Sequence, residues 1–121
     1  MRIAHRDALD AFVTIDGSEI RELARMDNST LAEARVAPAT ETYAHFHSFE
    51  EIYYFTAGRG RMRLGDEVAD VRPGDCVRIP PGAAHKLWAD PDEPLVLLCS
   101  CAPAFSDEGT TMLEGPSAPG P

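Results

Sequence analysis

Three of the four histidines in this chain fall where they could act together. In His45-Phe46-His47-Ser48-Phe49-Glu50-Glu51, two imidazoles stand two residues apart and a carboxylate follows. Residues two apart in an extended strand share a face, so His45 and His47 point the same way. Glu51 opens the next apolar run, and period two turns Glu50 to the other side. Two imidazoles and a carboxylate converging from neighbouring strands make a nitrogen and oxygen set that suits a first-row divalent metal. His-x-His alone more often marks a polar strand edge than a metal site. The second stretch, Gly74-Asp-Cys-Val-Arg-Ile-Pro80-Pro-Gly82-Ala-Ala-His85, shifts that balance. Two turns bracket one short strand there, and Pro80-Pro81-Gly82 fixes the chain direction just before His85.

The elements that must position these groups are strands. From residue 18 onward the chain reads as short apolar or alternating runs cut by turn residues. Strands are expected over 18–24, 30–36, 41–47, 51–56, 60–64, 67–71, 75–79, 85–88 and 95–101. Breaks fall at Gly58, Gly65-Asp66, Pro73-Gly74, Pro80-Pro81-Gly82 and between Pro91 and Pro94. Many short strands with regularly placed turns describe a sandwich or a barrel. No pattern occurs twice, so one barrel domain is expected over residues 18–114, after an N-terminal extension at 1–17. Within that extension Leu9, Phe12 and Val13 have helical spacing and predict one short helical turn over 7–13. Residues 115–121, rich in Gly and Pro, have nothing to bury and are expected to form a disordered tail.

Composition narrows the partners. The 121 residues suffice for one buried core. A net charge of −9 argues against nucleic acid, whose phosphates demand a positive face. The longest apolar run, 95–99, is strand-sized and far short of the roughly 18 residues of a membrane span, so no membrane partner is expected. Arg2, His5, Arg6, Asp7 and Asp10 interrupt the N-terminus, which does not read as a secretory signal. A cytoplasmic location is expected. Cys76, Cys99 and Cys101 cannot all pair within one chain, and Cys99 and Cys101 point the same way two residues apart. Reduced, buried thiols are the expectation.

The two histidine stretches closely resemble the paired motifs of the cupin superfamily. The first motif runs Gly, five residues, His-x-His, three or four residues, Glu, six residues, Gly, and His45, His47, Glu51 and Gly58 fall in that spacing. The second runs Gly, five residues, Pro-x-Gly, two residues, His, three residues, Asn, and Gly74, Pro80, Gly82 and His85 fit it. Ala39 stands where the first motif opens with Gly, and Ala89 where the second closes with Asn. Those departures put two turns in doubt and no ligand. The resemblance spans residues 39–89, with the short spacing from Gly58 to Gly74 of compact bacterial members. It implies an all-β fold, a double-stranded β-helix or jelly-roll barrel of two antiparallel sheets. It also implies one divalent metal ion (iron, manganese, nickel, zinc or copper) held by His45, His47, Glu51 and His85.

Cupins commonly dimerise, so a homodimer is expected, with strand 18–24 adding to a partner's sheet. The superfamily hosts dioxygenases, decarboxylases, isomerases, cyclases and plain binding proteins, and fold alone does not choose among them. The expected activity is a metal-dependent reaction on a small, oxygen-bearing organic substrate that chelates the metal, a dioxygenase being one form of it. A non-redox isomerase or polyketide cyclase is the first alternative, and a non-catalytic small-molecule-binding cupin the second.

Period two also predicts the pocket wall. Tyr43 shares the face of His45 and His47, Tyr53 and Phe55 follow Glu51, and Leu87 follows His85. Tyr43 and Tyr53 are the candidate catalytic residues, their phenols serving as proton donors, while Phe55 and Leu87 read as filler. Leu95, Leu97, Cys99 and Cys101 share one face, which brings a thiol near the pocket if that face is the lumen. Arg61 and Arg63 read as a solvated sheet face in preference to a clamp for a substrate carboxylate.

Overall fold

The computed structural model describes residues 1–116; of the expected tail, 117–121 lie outside the described residues. Eleven strands follow a single 3-10 turn at Arg6–Ala8: β1 Phe12–Val13, β2 Glu19–Arg25, β3 Thr30–Val36, β4 His45–His47, β5 Glu50–Ala57, β6 Gly60–Leu64, β7 Glu67–Val71, β8 Cys76–Ile79, β9 His85–Ala89, β10 Leu95–Ala102 and β11 Thr110–Met112. They form two antiparallel sheets, one ordered β1-β2-β3-β10-β5-β8 and the other β11-β4-β9-β6-β7. The all-β, two-sheet expectation holds.

Alternation builds the core. Along β10 the inward residues Leu95, Leu97, Cys99 and Cys101 are buried, and along β5 so are Glu51, Tyr53 and Phe55. The register sets Leu97 opposite Phe55, Cys99 opposite Tyr53 and Cys101 opposite Glu51. Phe55, Leu95 and Leu97 are fully buried and pack with Met62, Val71, Ile79 and Leu87 into the apolar end of the barrel. At about 25 cal/mol per Å² of apolar surface, each such side chain contributes roughly 1.5–3 kcal/mol. The other end is left open for polar groups.

Gly58 closes the first motif with φ +77°, and a Cβ there would collide with the Pro94 carbonyl, so the tight approach of two chain segments requires glycine.

Three expectations need correction. Residues 7–13 do not make a helical turn ending in apolar contacts: the 3-10 turn stops at Ala8, and Phe12 and Val13 pair with Ile20 and Glu19. Strand 18–24 pairs with β3 along its length, and β1 covers its other edge at Glu19 and Ile20 alone. Cys76 is exposed, at the start of an edge strand, whereas Cys99 and Cys101 are buried and free as expected. Strand 41–47 shortens to residues 45–47, because the backbone groups of 42–44 are engaged elsewhere. The Thr42 hydroxyl accepts from the Leu87 N–H, Tyr43 N–H donates to the Asp16 carbonyl, and Ala44 N–H donates to the Glu114 carboxylate. A ladder cannot run through residues whose donors are already satisfied.

Candidate metal centre

β4 and β9 pair through one registered couple, His45 opposite His85, and this crossing gathers the imidazoles. The ring centroids lie 4.3 Å apart for His45 and His85, 4.7 Å for His45 and His47, and 5.2 Å for His47 and His85. Their ligating nitrogens lie within 4.8 Å of one another, and all three residues are buried. Glu51, facing them from β5, brings Oε1 to 3.2 Å from His47 Nε2 and 3.3 Å from His85 Nε2. Glu50 is exposed, as alternation requires. Two strands of one sheet and one strand of the other thus deliver four donors to one point.

The outer nitrogens decide what the inner ones offer. His45 Nδ1 lies 2.8 Å from the Tyr43 carbonyl and His85 Nδ1 lies 2.9 Å from the Ala83 carbonyl. A carbonyl only accepts, so both Nδ1 atoms carry the proton. His47 Nδ1 lies 2.8 Å from Thr110 Oγ1, whose own proton goes to the Ser106 carbonyl at 2.9 Å, so this Nδ1 donates too. With Nδ1 carrying the proton, each ring in its neutral form presents an Nε2 lone pair inward.

Lone pairs and a carboxylate in a buried space repel. Glu51 Oε1 and His85 Nε2 are buried with no hydrogen-bond partner, and unpartnered buried polar atoms are rare and costly. Burial pushes the Glu51 carboxyl up, yet the nearby His47 and His85 rings outweigh it and hold it at about 2. Burial, and then the neighbouring His85, push His45 below its ordinary value, which disfavours a proton on that ring's inner nitrogen. The donor set, three imidazoles and one carboxylate, fits a divalent cation. The His45, His47 and His85 triad could hold a metal ion.

The cavity that opens on His45, His47 and Glu51 has a volume of about 370 Å³. Tyr53, Leu87, Leu97, Cys99 and Cys101 line it, so the lumen face of the last long strand does bring both thiols to the site. Cys101 Sγ donates to Glu51 Oε2 at 3.2 Å, leaving Oε1 for the imidazole side. Burial first, then the Glu51 charge, raises both thiols and the Tyr53 phenol well above their usual ranges, so all three stay protonated. Tyr43 is displaced. Its side chain is 38% exposed and packs against Gly17 and Gly115 outside the cavity, and only its carbonyl serves the site. The irregular backbone at 42–44 breaks the period that put it on the ligand face. Arg61 and Arg63 lie on the outer face, on Asp70 and the Gly65 carbonyl.

Four contributors were not foreseen. Phe49 stacks on His47 at 4.4 Å, and Phe105 meets the same ring edge-on at 5.8 Å. Thr110 orients His47, and Asp16 brings a carboxylate into the cavity. Asp16-Gly17 is a turn signature, but the two-residue β1 before it carries no pattern that would mark a hairpin. Phe49 is two residues past His47 and shares its face by the same period. Thr110 and Phe105 carry no local signal.

Residues 32–101 match the cupin domain family. The chain is 40% identical over 114 residues to an uncharacterized protein of Methanocaldococcus jannaschii, covering 89% of this chain and 91% of the relative. Among solved structures it is similar to the polyketide cyclase RemF from Streptomyces resistomycificus, with 27% identity, 84% and 79% of the two chains covered and a TM-score of 0.77. It is also similar in fold to the Streptomyces nucleoside dehydratase Pac13, with 16% identity, 93% and 90% covered and a TM-score of 0.77. An RmlC-like cupin from Shewanella frigidimarina superposes with 17% identity, 89% and 96% covered and a TM-score of 0.79. Both histidine motifs lie inside the two-sheet barrel that these proteins share, and more than half of the sequence matches the family directly: this chain belongs to the cupin domain family.

Proposed function

We propose that the chain is a metal-dependent enzyme acting on a small, oxygen-bearing organic molecule, and that its chemistry is non-redox, of the enolising, isomerising or ring-closing kind. The observation that carries the metal is the pair of orphaned buried atoms, Glu51 Oε1 and His85 Nε2, facing one another at 3.3 Å. His45, His47, His85 and Glu51 are the residues that would hold the ion. Bound there, a divalent cation supplies Lewis acidity toward a carbonyl or enolate oxygen. The likeness to a polyketide cyclase at 27% identity favours the non-redox branch.

The protein's own residues supply the rest. Cys101 fixes one oxygen of Glu51, and Phe49 and Phe105 cover the His47 ring and exclude water from it. Leu87, Leu97 and Tyr53 give the cavity apolar walls against which a flat molecule can lie. The Tyr53 phenol, buried and protonated, is the one candidate of the two tyrosines that reaches the cavity as a proton donor.

The test is metal content of protein purified without chelators, by mass spectrometry, with turnover of a panel of β-diketones and polyphenols followed with and without oxygen. About one zinc, nickel or manganese per chain and oxygen-independent turnover are expected. Glu51→Gln should weaken metal binding about tenfold or more while Glu50→Gln leaves it unchanged. Iron with oxygen consumption would move the assignment to a dioxygenase. Protein that binds no added metal would remove the enzyme reading altogether.

A further inference from the structure

Asp16 belongs to neither histidine motif, yet its carboxylate reaches the same cavity from the turn between β1 and β2. The turn is tied down on three sides. Thr14 N–H donates to the Ser18 carbonyl, Gly17 N–H to the Thr14 carbonyl, and Tyr43 N–H to the Asp16 carbonyl at 2.7 Å. One carboxylate oxygen, Oδ1, accepts both the Ser18 N–H at 2.9 Å and the Ser18 hydroxyl at 2.6 Å. The other, Oδ2, lies 3.9 Å from His45 Nε2, beyond hydrogen-bond reach and facing a nitrogen whose ring proton is on the far side. With the side chain 14% exposed, Oδ2 is a fixed acceptor beside the histidine cluster, and no donor among the described residues reaches it.

The charge around it selects what can bring that donor. Asp16, Glu22, Glu51 and Asp107 all line the cavity. Among the described residues Arg25 is the one arginine lining it, and its guanidinium is engaged by Glu22 at 2.6 Å and the Phe105 carbonyl at 3.1 Å. A molecule carrying a carboxylate or phosphate would meet four acids and, among the described residues, no free side-chain cation, so only a bound metal would draw it in. A neutral molecule with an O–H would satisfy Oδ2 and lay its apolar body on the cavity wall.

We infer that Asp16 reads a hydroxyl proton on the substrate, so that the cavity selects a neutral, largely apolar molecule bearing a free phenol or enol. The inference rests on the cavity being the substrate site proposed above, and it narrows that substrate from any metal-chelating oxygen compound to a hydroxyl donor. Hydrogen bonds to a charged acceptor in a semi-enclosed site are among the stronger ones, and a site built to accept a proton rejects the analogue that lacks it.

Calorimetric titration with three probes tests it: 1,3-dihydroxynaphthalene, its dimethyl ether and 2-naphthoate, each against chelator-treated and zinc-loaded protein. Wild type should bind the diol at least about tenfold more tightly than its ether in both states, and more tightly than 2-naphthoate in the chelator-treated protein. Asp16→Asn keeps an acceptor for Ser18 and turns an amide donor to the cavity. That change should bring the diol and its ether to within about twofold, and Asp16→Ala should do the same. Equal binding of diol and ether to wild type, an unaltered preference in both variants, or no binding of any probe would overturn the inference. The two arms keep the readings apart. An Asp16-dependent preference in protein that takes up no zinc would leave this inference standing and the metal function lost, and zinc uptake without the preference would do the reverse.

Discussion

His45 and His85 are held by carbonyls two residues upstream, whereas His47 is held by a hydroxyl 63 residues downstream. The first two anchors are made within the local chain. Tyr43 and Ala83 are positioned by the turns that precede each ligand, and no side-chain substitution can delete a backbone carbonyl. The third anchor exists only after β11 has docked on β4, with Thr110 opposite His47 and Met112 opposite His45. That strand is itself fastened at its far end, where Leu113 and Glu114 donate to the Ala44 carbonyl. One cluster therefore combines two histidines whose tautomers come with the motif and one whose tautomer depends on closure of the chain's last strand. The lesson is that a ligand's identity and its orientation can be encoded in different parts of a sequence.

The sharpest way to break this asymmetry is Thr110→Val, which keeps the β-branched shape and removes the acceptor. His47 Nδ1 then loses its partner, and loss of such an outer hydrogen bond costs about 10–100-fold in metal affinity. Thr110→Ser restores the hydroxyl and should restore affinity. Competition with a chromophoric chelator reads both. If Thr110→Val binds zinc as tightly as wild type, the distant anchor is dispensable and the comparison collapses.

The same asymmetry explains what could be read in advance. The strand content, the shared face of His45 and His47, the outward turn of Glu50 and the lumenal face of Cys99 and Cys101 all follow from period two within single strands, while the grouping of His85 and Glu51 with them came from the motif resemblance. Spacing between motif residues did the rest, since a turn of fixed length aims whatever follows it. Tyr43 was misplaced because three residues of backbone, 42–44, bond to Leu87, Asp16, Leu113 and Glu114, partners far away in sequence. β1 and β11 were missed for a related reason: at two and three residues they have no period to detect and exist because a neighbouring strand recruits them. Local pattern encodes which face a side chain takes, and long-range pairing decides whether a strand is there at all.

A smaller effect should come from the fastening of that last strand. Glu114 accepts from Lys86 Nζ at 2.6 Å and from Ala44 N–H at 2.8 Å, and Lys86 also reaches Glu41 at 3.1 Å. The Lys86 hydrogen bond, followed by the Ala44 N–H, holds the Glu114 carboxyl below its ordinary value. Burial works to lower Lys86, and the bonds to Glu114 and Glu41 outweigh it. A carboxyl depressed on folding contributes stability above its unfolded value of about 4.3, and the contribution fades as pH falls through the folded value. Glu114→Gln should therefore lower the melting temperature slightly at pH 7, since the carboxylate is 45% exposed and screened by solvent. The gap between variant and wild type should hold from neutral pH to about 5 and narrow below about 4. A gap that does not change with pH would assign the effect to packing and not to charge. Zinc affinity should fall less in this variant than in Thr110→Val, because Thr110 itself remains.

The smallest effect belongs to the local side of the comparison, at Ala39, which occupies the position where the family motif opens with glycine. Ala39 adopts φ +60°, the left-handed region that costs a residue with a Cβ roughly 1–2 kcal/mol. Its N–H donates to the Asp90 carbonyl at 3.0 Å, which holds the turn in that conformation before the chain enters β4. The methyl is exposed, so removing it forfeits no core packing. Glycine relieves the strain and loosens the unfolded chain by about 0.4–1 kcal/mol in the opposite direction. The two nearly cancel, and Ala39→Gly should stabilise by between zero and about 1 kcal/mol in urea unfolding. Because His45 takes its orientation from Tyr43, downstream of this turn, zinc affinity should not change. A loss of stability would mean that the turn is not strained at Ala39. A loss of zinc affinity would mean that the local anchor of His45 reaches back past Tyr43, and the contrast with His47 would have to be redrawn around the whole 39–45 segment.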